Sequence, residues 1–319
     1  MARIDELRLM ARVARMYYEK ENSQSEIARH LGLSQATVSR ALSKARSEGI
    51  VRITVNVPNG IYTDLEEQLI ERFGLRDAII VDSVYDGDDQ PVKRELGAAA
   101  AYYVESAIQQ NEVIGLSSWS STLLALVDAM HSVPRKQDVK VVQILGGVGN
   151  PAAEAHANRL TGRMADLVNG EVVLLPAPGI VGSSAAQQAF MEDKYVQQAI
   201  GLFDKVTMAL VGIGALEPST LLAESGNIFS ADELESLAGK GAVGDILLRF
   251  FNEDGRPVDS FLNDRVMSMS LEQLKRVDKV IGVAGGMRKY KAIRGALIGK
   301  WINILITDQI TAECLVSGD

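Results

Sequence analysis

Two sets of polar side chains in this 319-residue sequence have types and spacings suited to chemistry. The first is Gln35, Ala36, Thr37, Ser39, Arg40, Ser43 and Lys44, small and polar with basic tips, preceded by Ser34. On one helix face, the N-terminal end of this set fits the DNA major groove. Gln35 can form a bidentate pair with adenine, Arg40 can read guanine or hold phosphate, and the Thr37 methyl can meet a thymine methyl. Ser34 and Lys44 are better suited to phosphates. Each base contact has the alternative of a plain backbone contact.

The second set opens with Ser117-Ser118-Trp119-Ser120-Ser121-Thr122, directly after the apolar Gly115-Leu116. Hydroxyls and free backbone N–H groups at a helix start suit a phosphate or a polyol; plain helix capping is the alternative. Gly146-Gly147-Val148-Gly149, Gly212-Ile213-Gly214, Gly241-Ala242-Val243-Gly244-Asp245 and Gly285-Gly286 follow. Glycines at strand ends let the backbone line a crevice, and so point to Gly146 and Gly147 as ligand neighbours, or they simply make tight turns. Asp245 can accept hydrogen bonds from sugar hydroxyls or cap a helix. Lys289 can hold a phosphate charge or stand in solvent. Asp308, in Thr307-Asp308-Gln309, reads as a helix cap.

Catalytic readings find less support. Gly115-Leu116-Ser117-Ser118-Trp119 has tryptophan where a nucleophile elbow ends in glycine. His30, His131 and His156 are scattered, making neither a triad nor a metal-ligand spacing. Gly146-Gly147-Val148-Gly149 does not fit the dinucleotide pattern, and Gly212-Ile213-Gly214 is followed by Glu217 where a third glycine belongs. A carboxylate base such as Asp245 could serve proton transfer, but the expectation is a binding protein without enzyme activity, cofactor or metal.

The elements that must position these groups are readable from periodicity. A helix over 5–20 carries Leu7, Met10, Val13, Ala14 and Tyr17 on one stripe. Ser23 and Glu26 form a capping box for a second helix, which Gly32 ends. Ser34 caps a third, over 35–48, stopped by Gly49. Counting Gln24 as first, the small Ala28 is fifth, Gly32 ninth and the β-branched Val38 fifteenth. A small residue at the crossing, a glycine turn and a branched core residue are what a helix-turn-helix needs. Residues 50–55 alternate as a strand, either a wing or a connector. Beyond them, apolar runs at 78–81, 113–116, 139–145, 172–175, 206–211, 280–284 and 302–306 alternate with helical stretches such as 91–110, 122–131, 187–200 and 289–298. Continuously apolar strands spaced by helices predict an α/β domain with a doubly wound, mostly parallel sheet.

Charge divides the chain at the same place. Residues 1–60 hold ten Lys/Arg against six Asp/Glu, while the rest carries 23 against 35, so only the first segment is basic. The turn-like Val57-Pro58-Asn59-Gly60 marks the boundary between a DNA-binding domain, 1–57, and an effector and oligomerisation domain, 58–319. The single cysteine, Cys314, forbids an intrachain disulfide. With no secretory signal and no apolar run of about 18 residues, the expectation is a cytoplasmic protein away from membranes. One short recognition helix offers few contacts, which predicts a dimer or tetramer on a repeated double-stranded operator.

Ordered blocks along the chain resemble the SorC/DeoR family of bacterial sugar-responsive regulators. They run from Gln24-Ser25-Glu26-Ile27-Ala28 through Ser39-Arg40 and from Gly115 to Thr122. Leu175-Pro176-Ala177-Pro178, Val211-Gly212-Ile213-Gly214, Gly241–Ile246, Ala284–Lys289 and 305–312 complete the series. The resemblance implies an effector domain shaped like sugar-phosphate isomerases, oligomers that are often tetrameric, and phosphorylated sugars or related metabolites as effectors. It further implies phosphate contacts at the serine-rich loop and Lys289, and a polar ligand contact at Asp245. Ser120 stands where the family loop commonly has glycine.

Overall fold

A computed structural model describes residues 2–51, 60–82, 89–133 and 138–318. The chain divides into two compact units, Met1–Pro58 and Asn59–Asp319.

In the first unit, α1 (Ala2–Ala14) runs into a π-helical turn, Arg15–Glu19, and is followed by α2 (Gln24–Leu31) and α3 (Gln35–Ser47). Ser23 and Glu26 close the expected capping box on α2. Gly32 ends α2 in the left-handed conformation, φ +65°, which glycine adopts without steric cost. The Ser34 hydroxyl caps α3 by accepting from the Thr37 N–H. Met10, Val13, Ile27, Ala28, Val38, Leu42 and Ala45 close one small core. Ala28 and Val38 are thus both inside, as the helix crossing demands. The expected strand at 50–55 lies outside the described residues from position 52 onward.

The second unit begins with α4 (Thr63–Phe73), β1 (Asp77–Val81), α5 (Asp89–Ala107), β2 (Val113–Leu116), α6 (Ser121–Ala129), β3 (Lys140–Gln143), α7 (Pro151–Val168) and β4 (Glu171–Val173). It continues with α8 (Ser184–Glu192), α9 (Lys194–Ile200), β5 (Met208–Gly212), β6 (Gly214–Ala215), α10 (Thr220–Ser225), α11 (Ala231–Gly239), β7 (Ala242–Ile246) and β8 (Arg249–Asn252). It closes with α12 (Leu271–Leu274), β9 (Lys279–Val283), α13 (Tyr290–Ile298), β10 (Ile304–Asp308) and α14 (Gln309–Ser317). Seven strands form one sheet in the order β1-β10-β9-β5-β2-β3-β4, every neighbouring pair parallel. Each coincides with one of the seven apolar runs.

Strand periodicity builds a core on each face of this sheet. Ile114, Leu116, Met208, Leu210, Ile281, Val283, Ile304 and Ile306 point to one. Val142, Ile144, Ala209, Val211, Val280 and Leu305 point to the other. With both faces covered, the strands carry no polar alternation, which is why they read as continuous apolar runs.

Two expectations are corrected. The stretch 187–200 is not one helix: Asp193 breaks it and caps α9, accepting from the N–H groups of Tyr195 and Val196 at 2.8 and 3.0 Å. The glycine-rich stretch 241–245 does not follow a parallel strand. It forms β7, which pairs antiparallel with β6 and β8 in a separate three-stranded sheet.

Candidate functional site

The order in which the chain adds strands to the large sheet switches direction between β2 and β5. From β2 the strands proceed outward through β3 to β4, and from β5 they proceed the opposite way through β9 to β10. Open parallel sheets bind ligands outside the carboxyl ends of the strands at such a switch point. An open cavity with about 70 Å³ of free volume lies there. Ser117 and Trp119–Thr122 follow β2 into its wall, Gly212–Ala215 run from the end of β5 through β6, and Leu145, Asp245 and Lys289 join them.

The serine loop divides its duties. Ser120 caps α6, its Oγ accepting from the Leu123 N–H at 3.2 Å, so capping and cavity lining coincide in one residue. Ser121 and Thr122 open α6 beside it, where the helix dipole favours negative charge. The buried Ser118 faces away and donates to the Leu145 carbonyl at 2.6 Å. Trp119 is buried as well, with its indole N–H on the Gly146 carbonyl at 2.8 Å. These two bonds pin the loop to the segment after β3.

Gly146 and Gly147, expected near the ligand, are not among the cavity-lining residues. A Cβ on Gly146 would fall 2.3 Å from the Pro178 carbonyl oxygen, and one on Gly147 would fall 2.7 Å from Gln143 Oε1. Glycine here serves close approach of chain to chain. Ser118 is likewise absent from the lining, for the reason just given.

Asp245 lies on β7 opposite Gly214, and so is not a helix cap. Its Oδ2 accepts from the Leu248 N–H at 2.9 Å. Burial pushes its carboxyl up to about 6, against the opposing pull of the Leu248 N–H and of the Lys289 charge. Leu247 and Leu248 form the hairpin turn with φ of +57° and +62°, a conformation that costs a branched side chain about 1–2 kcal/mol per residue. Both leucines line the cavity. The site thus includes two adjacent strained leucines.

Lys289 sits in a 3₁₀ turn, Met287–Lys289, ahead of α13. Its neighbour Arg288 also reaches the cavity and pairs with Glu217 at 3.4 Å. Asp308 is the expected cap, accepting from the Thr311 N–H at 3.0 Å. It also accepts from the Gly286 N–H at 2.6 Å, which ties the end of β9 to α14.

Sequence reading overlooked Glu217, Ser219, Leu247, Leu248 and Arg288. The available signals were the basic Arg288 beside Lys289, and Ser219 as the cap of α10. Among the described residues no group of His, Cys, Asp and Glu is arranged to hold a metal ion.

In the first unit, Gln35, Ala36, Ser39, Arg40, Ser43 and Lys44 are exposed on α3 and Thr37 is half-buried. Val38, Ala41, Leu42 and Ala45 fill the opposite, buried face. The Arg40 Nε–H donates to the Ala36 carbonyl at 3.3 Å, and Lys44 pairs with Glu6. Helical spacing therefore separates a packed face from a polar one.

Known proteins share this architecture. Residues 58–317 match the family described as "Putative sugar-binding domain", and residues 19–52 match the winged helix-turn-helix DNA-binding family. The chain is 31% identical to the sorbitol operon regulator of Klebsiella pneumoniae, over 99% of its own length and all of that protein. It is 32% identical to the deoxyribonucleoside regulator of Bacillus subtilis (strain 168), over 97% of each. The crystal structure of full-length SorC from Klebsiella pneumoniae superposes with a TM-score of 0.73 at 30% identity, covering 97% of this chain and 98% of that one. The two family matches and the likeness over nearly the whole length agree, and the chain belongs to the SorC/DeoR family of sugar-binding transcriptional regulators.

Proposed function

We propose that the protein controls a carbohydrate catabolic operon, and that a small sugar, polyol or sugar phosphate in the switch-point cavity sets its hold on DNA. One observation carries this reading. Hydroxyls of Ser117, Ser120, Ser121 and Thr122, the Asp245 carboxylate and the Lys289 ammonium, far apart in sequence, line one cavity. An anion fits the α6 N-terminus and Lys289, while sugar hydroxyls fit Asp245. Residues 1–57 bind the operator and residues 58–319 sense the effector and associate.

On the DNA side, α3 enters the major groove. Gln35, Ala36, Thr37, Ser39 and Arg40 face base edges, while Ser34, Ser43 and Lys44 hold phosphates. The protein acts in the cytoplasm as a dimer or tetramer, placing paired α3 helices in successive grooves. Among the described residues no helix is long and apolar enough to cross a membrane. The effector biases the arrangement that sets helix spacing, by as much as its affinities for the two arrangements differ. No chemical step is assigned to Asp245: binding, not turnover, is its task.

A thermal-shift screen of sugars, polyols and their phosphates tests the reading, because a ligand of the native state raises its stability by mass action. The same compound is expected to change the protein's affinity for its own promoter. A screen in which no compound of these classes shifts the melting curve overturns it.

A further inference from the structure

Beyond Asp245 the cavity changes character. A side annex with about 20 Å³ of free volume shares Ala215, Pro218, Leu222, Asp245 and Leu248 with the main cavity. Its own walls are Leu216, Ile228, Phe229, Leu234 and Phe250. Phe229 and Phe250 are buried and their rings stand 5.8 Å apart, tilted at 60°. Among the described residues, Asp245 is the only polar side chain of the annex. The hydroxyl side chains, Lys289 and Arg288 all belong to the main cavity.

That volume suits one group the size of a water or a methyl. A water there would find a single side-chain partner, whereas a buried water typically makes about three hydrogen bonds. A sugar hydroxyl would likewise leave water for a place with little to bond to. An apolar carbon loses nothing on entry and gains contact with two aromatic rings.

We infer that the effector ends in a methyl-sized apolar group opposite its anionic group, as a terminally deoxygenated sugar phosphate does, and that this end occupies the annex. The inference rests on the sugar-phosphate form of the function proposed above. The molecule then spans the cavity in three parts. Its phosphate lies at Ser121, Thr122 and Lys289, its hydroxylated middle at Asp245, and its methyl terminus between Leu234, Leu248 and the two phenylalanines.

Titration calorimetry on the full-length protein tests this, with ketohexose 1-phosphates of each configuration and their 6-deoxy counterparts as probes. In every configuration that binds, the 6-deoxy compound is expected to bind about 10-fold or more tightly, because the 6-hydroxy compound brings an added, poorly paired hydroxyl into an apolar pocket. Leu234→Asn and Ile228→Thr, at partly exposed positions, should bring the two compounds to near-equal affinity while the 6-hydroxy compound binds as before. Melting curves without ligand verify that both variants fold. Equal or tighter binding of the 6-hydroxy compound, or a preference that survives both variants, overturns the inference and leaves the proposed function standing. If no compound of either series binds, the sugar-phosphate reading falls and the inference falls with it.

Discussion

The carboxylate of Asp245 accepts a hydrogen bond at 2.9 Å from the backbone of Leu248, a residue held in the left-handed region at φ +62°. One side chain thereby serves two tasks: it fastens a strained turn and presents a charge to the cavity. Burial sets the cost. With the Asp245 carboxyl pushed up to about 6, the native state holds its proton more tightly than the unfolded chain, where an aspartate titrates near 3.9. The resulting stability is complete below about pH 4 and is lost as pH rises through 6. Asp245→Asn keeps an oxygen for the Leu248 N–H and does not titrate. It should therefore be more stable than the parent at pH 7.5, by about 1–3 kcal/mol, and should lose that advantage by pH 4. Urea denaturation across this range measures the difference; a difference that does not change with pH contradicts the argument.

Effector binding should titrate the other way. A sugar hydroxyl donates more strongly to an ionised carboxylate than to a protonated one. Affinity should thus fall as pH drops through 6, and Asp245→Asn should flatten this part of the profile. A phosphate also titrates near 6, so the contrast between parent and variant with one ligand isolates the contribution of Asp245. Identical profiles for the two proteins would remove Asp245 from the hydroxyl-binding role.

The two units should fail separately. Arg40→Ala should cost about 1–3 kcal/mol of operator binding and leave the ligand-induced melting shift intact. Ser121→Ala and Lys289→Ala should leave DNA affinity intact and abolish the response to effector. Fluorescence anisotropy on promoter DNA, run beside the thermal shift, reads both. Loss of both functions in every variant would contradict the division of labour.

Arg249 predicts a stability effect that needs no ligand. Its guanidinium is mostly buried and donates to the carbonyls of Asn263, Val266 and Ser268 and to the Ser268 hydroxyl. Burial pulls its pKa down to about 10, leaving it charged at neutral pH. Arg249→Met would strand the Val266 and Ser268 carbonyls, whereas Asn263 keeps the Val266 N–H, and should cost about 3 kcal/mol or more. Residues 261–268 should then become the first site of proteolysis. A variant as stable and as protease-resistant as the parent would show that these bonds contribute little.

Much of this architecture was legible in the sequence because its signals are local. Ser23 with Glu26, Gly32 and Ser34 act within one turn of the helix that they start or stop, and all three behave as read. The seven apolar runs were visible because β2, β5 and β9 are covered on both faces. The small sheet was not legible for the opposite reason. Gly244 is glycine because a Cβ there would lie 2.3 Å from the Ala292 methyl and 2.6 Å from the Gly214 carbonyl oxygen, and no local pattern records a neighbour 48 positions away. Gly-Ala-Val-Gly-Asp accordingly reads as a turn. Its true turn, Leu247-Leu248, lacks the Asn-Gly signature of hairpins. Gly146 and Gly147 misled similarly: glycine reports close approach without naming what approaches. Sidedness was equally hidden, since Ser118 and Ser121 are chemically identical and only the fold turns one inward and the other toward the cavity.

The cavity wall draws on the ends of β2, β5 and β9 and on the hairpin of β7 and β8, stretches spread over more than half of the chain. A receptor assembled this way exists only once the whole domain has closed. Truncated or nicked products should be blind to the metabolite rather than weakly sensitive to it. New ligand preferences, by contrast, can arise one loop at a time while the sheet beneath stays unchanged.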